Sequence, residues 1–108
     1  MKTIPVTQGS GNVFADLGFD QPEEELTKAK LASLIRQVMR LNRLTQANAG
    51  ELMGVDQPEV TALLKGRLSG FSGERLMRLL TTLGQDVKIT VRPKPLGRER
   101  GRIQVVAL

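Results

Sequence analysis

The chain has no cysteine, no histidine, no tryptophan and no tyrosine, and only three phenylalanines. Without thiols there are no disulfides and no thiolate metal sites. Without histidine it lacks the commonest general base and the commonest metal ligand, and without tyrosine it lacks a phenolic acid. An enzyme built from these residues would rely on carboxylates, lysine, serine and threonine, and no paired-carboxylate constellation stands out to carry such chemistry. The expectation is a non-enzymatic protein with no metal and no cofactor. Few aromatic rings also argue against an RNA-binding tail, because single-stranded bases are held by stacking. No apolar run approaches the length of a membrane span and no signal-peptide core follows the N-terminus, so a soluble cytoplasmic protein is expected.

Basic charge is present, and unevenly spread. The 108 residues carry a net charge of +5, which fits a polyanionic partner. The stretch 23–84 is close to balanced. In 85–108, by contrast, Lys88, Arg92, Lys94, Arg98, Arg100 and Arg102 stand against Asp86 and Glu99. The length suits one small domain with appendages. Composition divides it into an irregular N-terminal arm (1–22), a helical domain (23–84) and a basic, β-prone C-terminal extension (85–108). Pro5, the Gly-Ser-Gly at 9–11 and Gly18 break up the arm. Its Phe14, Leu17 and Phe19 are expected to dock on the helical domain, the alternative being an exposed protein-binding patch.

Asp20, Pro22 and the acids at 23–25 read as a helix start. Leu26, Ala29, Leu31, Leu34, Ile35, Val38, Met39 and Leu41 then supply an apolar face, and the helix should end near 40–43. Ser72 reads as the cap of a later helix whose buried stripe is Leu76, Met77, Leu79, Leu80 and Leu83, stopped by Gly84. In the extension, Val87, Ile89 and Val91 alternate with Lys88, Thr90 and Arg92, the period of a strand, and Pro93 and Pro95 end it. Residues 103–108 form a second β-prone segment. A lone hairpin is marginal in water, so pairing with a second subunit or with another protein is the expected remedy.

The segment Leu44 to Gly66 organises the rest. Thr45 can cap one short helix whose inward face is Ala49, Leu52 and Met53. Asp56 can cap a second, with Glu59 completing a capping box and Val55 and Val60 at staple spacing. Val60, Leu63 and Leu64 then face inward, leaving Gln57, Thr61, Ala62 and Lys65 outward. Gly50 and Gly54 are expected to permit the close helix crossing. This is the pattern of a DNA-binding helix-turn-helix, the second helix being the one that reads DNA.

Leu44-Thr45-Gln46, Leu52-Met53-Gly54-Val55 and Gln57-Pro58-Glu59-Val60-Thr61 resemble, in order and spacing, the Cro-like, xenobiotic-response-element (XRE) family of helix-turn-helix repressors. The flanks, Ser10 to Phe19, Leu63 to Ser72 and Leu83 to Ile89, are similar to a bacterial subgroup that includes HigA-like antitoxins. With the segments read above, the expected fold is mainly α: a compact four-helix XRE-type helix-turn-helix domain with an irregular N-terminal arm and a C-terminal β-strand or hairpin extension. The resemblance implies a homodimer on a palindromic double-stranded operator, repressing its own operon, with a RelE/HigB-like toxin as a further partner. The alternative is a protein-interaction module that mainly neutralises the toxin. Two positions depart from the family: Gly50 stands where alanine is usual, and Glu59 where a basic or neutral residue suits DNA better.

Gln57, in the first turn of the reading helix, matches the donor and acceptor of an adenine edge. Thr61 and Ala62 face the groove, within reach of a thymine methyl. In the family pattern Gln46 contacts a phosphate at the start of its helix. Lys65 and Arg67 follow the reading helix as phosphate contacts, and Arg43 precedes the motif in the same role. Asp56 and Glu59 are expected to be structural.

Overall fold

A computed structural model describes residues 21–107, which form four helices: α1 (Gln21–Leu41), α2 (Gln46–Met53), α3 (Gln57–Lys65) and α4 (Gly73–Thr82). The capping role of Asp20 and the docking of Phe14, Leu17 and Phe19 lie outside the described residues.

In α1, Leu31, Ala32, Ile35 and Met39 are buried along one stripe. Leu26 and Leu41, expected on that stripe, are instead 74% and 83% exposed. Leu26 stands about two and a half turns before Ile35, hence on the opposite side. Thr27 and Lys28 take the inner side there. The Thr27 hydroxyl donates to the Glu23 carbonyl (2.9 Å) and the Lys28 ammonium reaches Glu25 (3.4 Å). Ala29 is exposed as well.

The other helices add Ala49 and Met53 from α2, Val60 and Leu63 from α3, and Leu76, Leu79 and Leu80 from α4. Leu68 and Phe71, in the loop between α3 and α4, close the core, and α1 packs chiefly on α4. Leu52, expected to face inward, is half-exposed, and the buried position beside Ala49 belongs to Gly50.

Side-chain caps fix where each short helix begins. Thr45 accepts from the Asn48 amide (3.0 Å), Asp56 from Glu59 (2.9 Å) and Ser72 from Arg75 (3.0 Å). Each satisfies an amide the helix cannot, worth about 1 kcal/mol. The two glycines of the turn have different functions. A Cβ on Gly50 would stand 3.0 Å from the Val55 carbonyl and 3.2 Å from a Val60 methyl, so this position lets α2 meet α3 closely. Gly54 has open space around it. It is needed for its left-handed φ of 70°, which ends α2.

The β extension is not formed. Among the described residues there is no strand, and no backbone hydrogen bond joins 86–92 to any of them. The segment 103–107 does not turn back on 87–91. Its Ile103 amide donates to the Glu23 carboxylate (2.9 Å), Arg100 reaches the other carboxylate oxygen (3.2 Å), and Val105 packs against the helical core. The second arm of the expected hairpin is thus held at the start of α1, leaving the first without a ladder partner.

Candidate nucleic-acid interface

The turn at 54–56 sets the N-terminal ends of α2 and α3 beside each other, and each opens with a glutamine. Gln57 Nε2 donates to Gln46 Oε1 at 2.6 Å, with both side chains exposed. The two glutamines flank a hollow of about 320 Å³ floored by Gly50 and Val60. Helix N-termini present unpaired amides and a partial positive charge, which favours an anion nearby.

Along α3, Gln57, Thr61 and Lys65 recur every fourth residue, turned away from fully buried Val60 and Leu63. Thr61 and Ala62 are half-buried, while Lys65 and Arg67 are exposed on either side of Gly66. None of these four lines the hollow between the glutamines. On the other side of Gln46 lies a cleft of about 490 Å³ bordered by Arg36, Arg40, Arg43 and Leu64. Arg43 and Gln46 therefore share one site, and Gln46 and Gln57 share the next.

Arg36 and Arg40 were not singled out from the sequence, although their spacing of four residues marks one face of a helix. Arg36 also has a structural bond: it donates to the Leu63 carbonyl at 3.0 Å, tying α1 to the C-terminal end of α3. Arg43 has a φ of 51°, the one non-glycine residue with positive φ among those described.

Glu59 has a different function from the one its spacing suggests. Asp56 does cap α3, but the Glu59 carboxylate pairs with Arg75 on α4 instead of returning to the cap. Arg75 also reaches the Gly70 carbonyl (3.4 Å) and lies over the Phe71 ring, 4.7 Å from its centre. The acid that looked unfavourable beside DNA is thereby matched by a cation. No cluster of metal-binding side chains occurs among the described residues, and none of their helices is long and apolar enough to cross a membrane.

Residues 13–92 match the family of helix-turn-helix domains. A solved structure named as an XRE family transcriptional regulator superposes with a TM-score of 0.78 at 48% identity, over 81% of this chain and 98% of that one. No curated protein matches significantly. With its capped helix pair, its glutamines at the two helix starts and these similarities, the chain belongs to the XRE-type helix-turn-helix family of DNA-binding transcriptional regulators.

Proposed function

We propose that the protein is a sequence-specific repressor that reads DNA with α3, and that Gln57 is its principal base contact. The supporting observation is the Gln46–Gln57 hydrogen bond. By donating one N–H to Gln46, Gln57 keeps a second N–H and a carbonyl oxygen, the donor and acceptor that complement adenine N7 and N6. Gln46 lies between the base reader and the arginine-lined cleft, where a phosphate fits against Arg43 and the start of α2. Lys65 and Arg67 hold phosphates beyond the other end of α3, and Thr61 and Ala62 line the groove. One copy offers few contacts, so two copies read half-sites about 34 Å apart in a palindromic operator.

Gln57→Ala is expected to weaken binding to the chain's own upstream DNA in a gel shift, with random DNA bound as before. Equal loss on both would overturn the assignment. The slope of affinity against salt counts the phosphate contacts, and Arg43→Ala should lower it by about one.

The finer reading is an autoregulating antitoxin, paired with a RelE/HigB-like toxin and working in the cytoplasm. It is supported by the resemblance of the flanks and by the exposed Val87, Ile89 and Val91, which leave an apolar face open to a partner. Co-expression with a small basic reading frame from the same operon tests it. Copurification and tighter operator binding are expected, and two independent proteins would refute it. If the toxin binds while the operator does not, the chain is mainly a neutralising module.

A further inference from the structure

At about 100° a residue, Glu59 stands nearly opposite Gln57 around α3, with Pro58, Thr61, Ala62 and Lys65 between them on the outer side. Gln57 edges the flank towards α2, where Gln46 accepts its bond. Glu59 edges the flank towards α4, where Arg75 pairs with it. A helix lying in the major groove has a phosphate strand along each side. On its own, the α4 flank sets a carboxylate against one of those strands. We propose that Arg75 is a positioning residue for DNA binding: it draws the Glu59 carboxylate onto α4 and cancels its charge, so that this flank can approach phosphate. This rests on the reading of α3 as the helix that enters the groove.

The surroundings of Arg75 suit that task better than a phosphate contact of its own. Its Nη2 donates to Glu59 and its Nη1 to the Gly70 carbonyl (3.4 Å), while the guanidinium lies 4.7 Å from the centre of the Phe71 ring. Phe71 is buried in the core, so the cation is fixed by the fold before any DNA arrives. Of the ion pairs among the described residues, this one joins two helices. Lys28–Glu25 and Arg78–Glu74 lie within one helix, and Arg100–Glu23 ties the tail. α3 packs on α1 and α2, and the Glu59 pair gives its other flank a hold on α4. Asp56 caps the helix and faces its positive end, so that acid needs no such partner. The Glu59 side chain is 32% exposed, so what it presents to DNA is set by the cation beside it.

A double-mutant cycle on the full chain tests this, read by binding to a duplex of its own upstream DNA and to a random duplex of equal length. Arg75→Ala is expected to weaken binding to both by about tenfold at low salt, and by less as salt rises, because repulsion of phosphate is blind to sequence. Adding Glu59→Gln should restore binding to within about twofold of the wild type. That double variant still lacks every contact of Arg75, so a merely structural role would leave it impaired. Glu25→Gln, which removes an acid near the start of α1, should restore nothing. Glu59→Gln alone leaves the cation without its acid and should bind both duplexes at least as well as the wild type. Helical circular dichroism confirms that each variant is folded at the assay temperature. Unchanged affinity in Arg75→Ala, a double variant no better than Arg75→Ala, or equal rescue by Glu25→Gln overturns the proposal. Loss of preference for the upstream DNA in Glu59→Gln alone would make the carboxylate a base reader, and overturns it too. If the reading of α3 is at fault instead, the wild type already treats the two duplexes alike, and the proposal falls with it.

Discussion

The α2–α3 unit and the segment after α4 both place β-branched residues beside charges, yet only the first becomes regular structure. In α3, Val60 and Leu63 recur at helical spacing, and α1 and α2 pack against that helix. A helix satisfies its own backbone, so each needs only a side-chain partner. In 86–92 the spacing is that of a strand, whose amides and carbonyls need a second chain segment. The one the sequence offers, 103–107, is held by Glu23. Periodicity gives the conformation a segment prefers, but a strand forms only when another backbone is available.

Substitutions on either side of this contrast separate the two regions. Leu63→Ala, at a fully buried position, is expected to destabilise the helical domain by about 2–5 kcal/mol in urea, all four helices melting together. Val91→Ala in the extension should change the same transition by less than about 0.5 kcal/mol. A comparable loss from both would mean the extension is part of the core. Arg75→Ala removes the Glu59 pair and the contact over Phe71. Both charged groups are about a third exposed and screened by solvent, so a loss of about 1 kcal/mol is expected in the same assay. Glu23→Ala releases Arg100 and Ile103 with a still smaller effect on the helices. Its readout is faster hydrogen exchange at the Ile103 amide, and unchanged exchange there would show that other contacts hold the tail. Gly50→Ala should be nearly neutral. The helix propensity gained, about 1 kcal/mol, opposes the crowding at Val55, whereas Gly50→Val is expected to cost about 1–3 kcal/mol.

Most of the fold was legible because its signals are local. Thr45, Asp56 and Ser72 cap the helices they were expected to cap, and Gly54 and Gly84 have positive φ at helix ends. Contacts between distant residues were not legible. Glu59 has capping-box spacing, but its partner is sixteen residues away on α4, and no local pattern announces that pairing. The same holds for Arg36 on Leu63 and for Glu23 on Ile103. Leu26 and Leu52 misled because their type suggested burial while their phase on the helix opposed it. At the candidate interface, Gln46 and Gln57 were recognisable one by one, but their mutual hydrogen bond depends on the turn that brings two helix starts together.

Arg43 holds a left-handed backbone that glycine or asparagine adopts at lower cost. Replacing it with glycine should therefore relax the link between α1 and α2 while removing a cation from the cleft beside Gln46. At that residue the backbone favours a glycine and the cleft beside Gln46 favours a cation. A variant selected only for heat resistance has reason to discard Arg43 first, and on the proposed reading it gives up a phosphate contact in doing so.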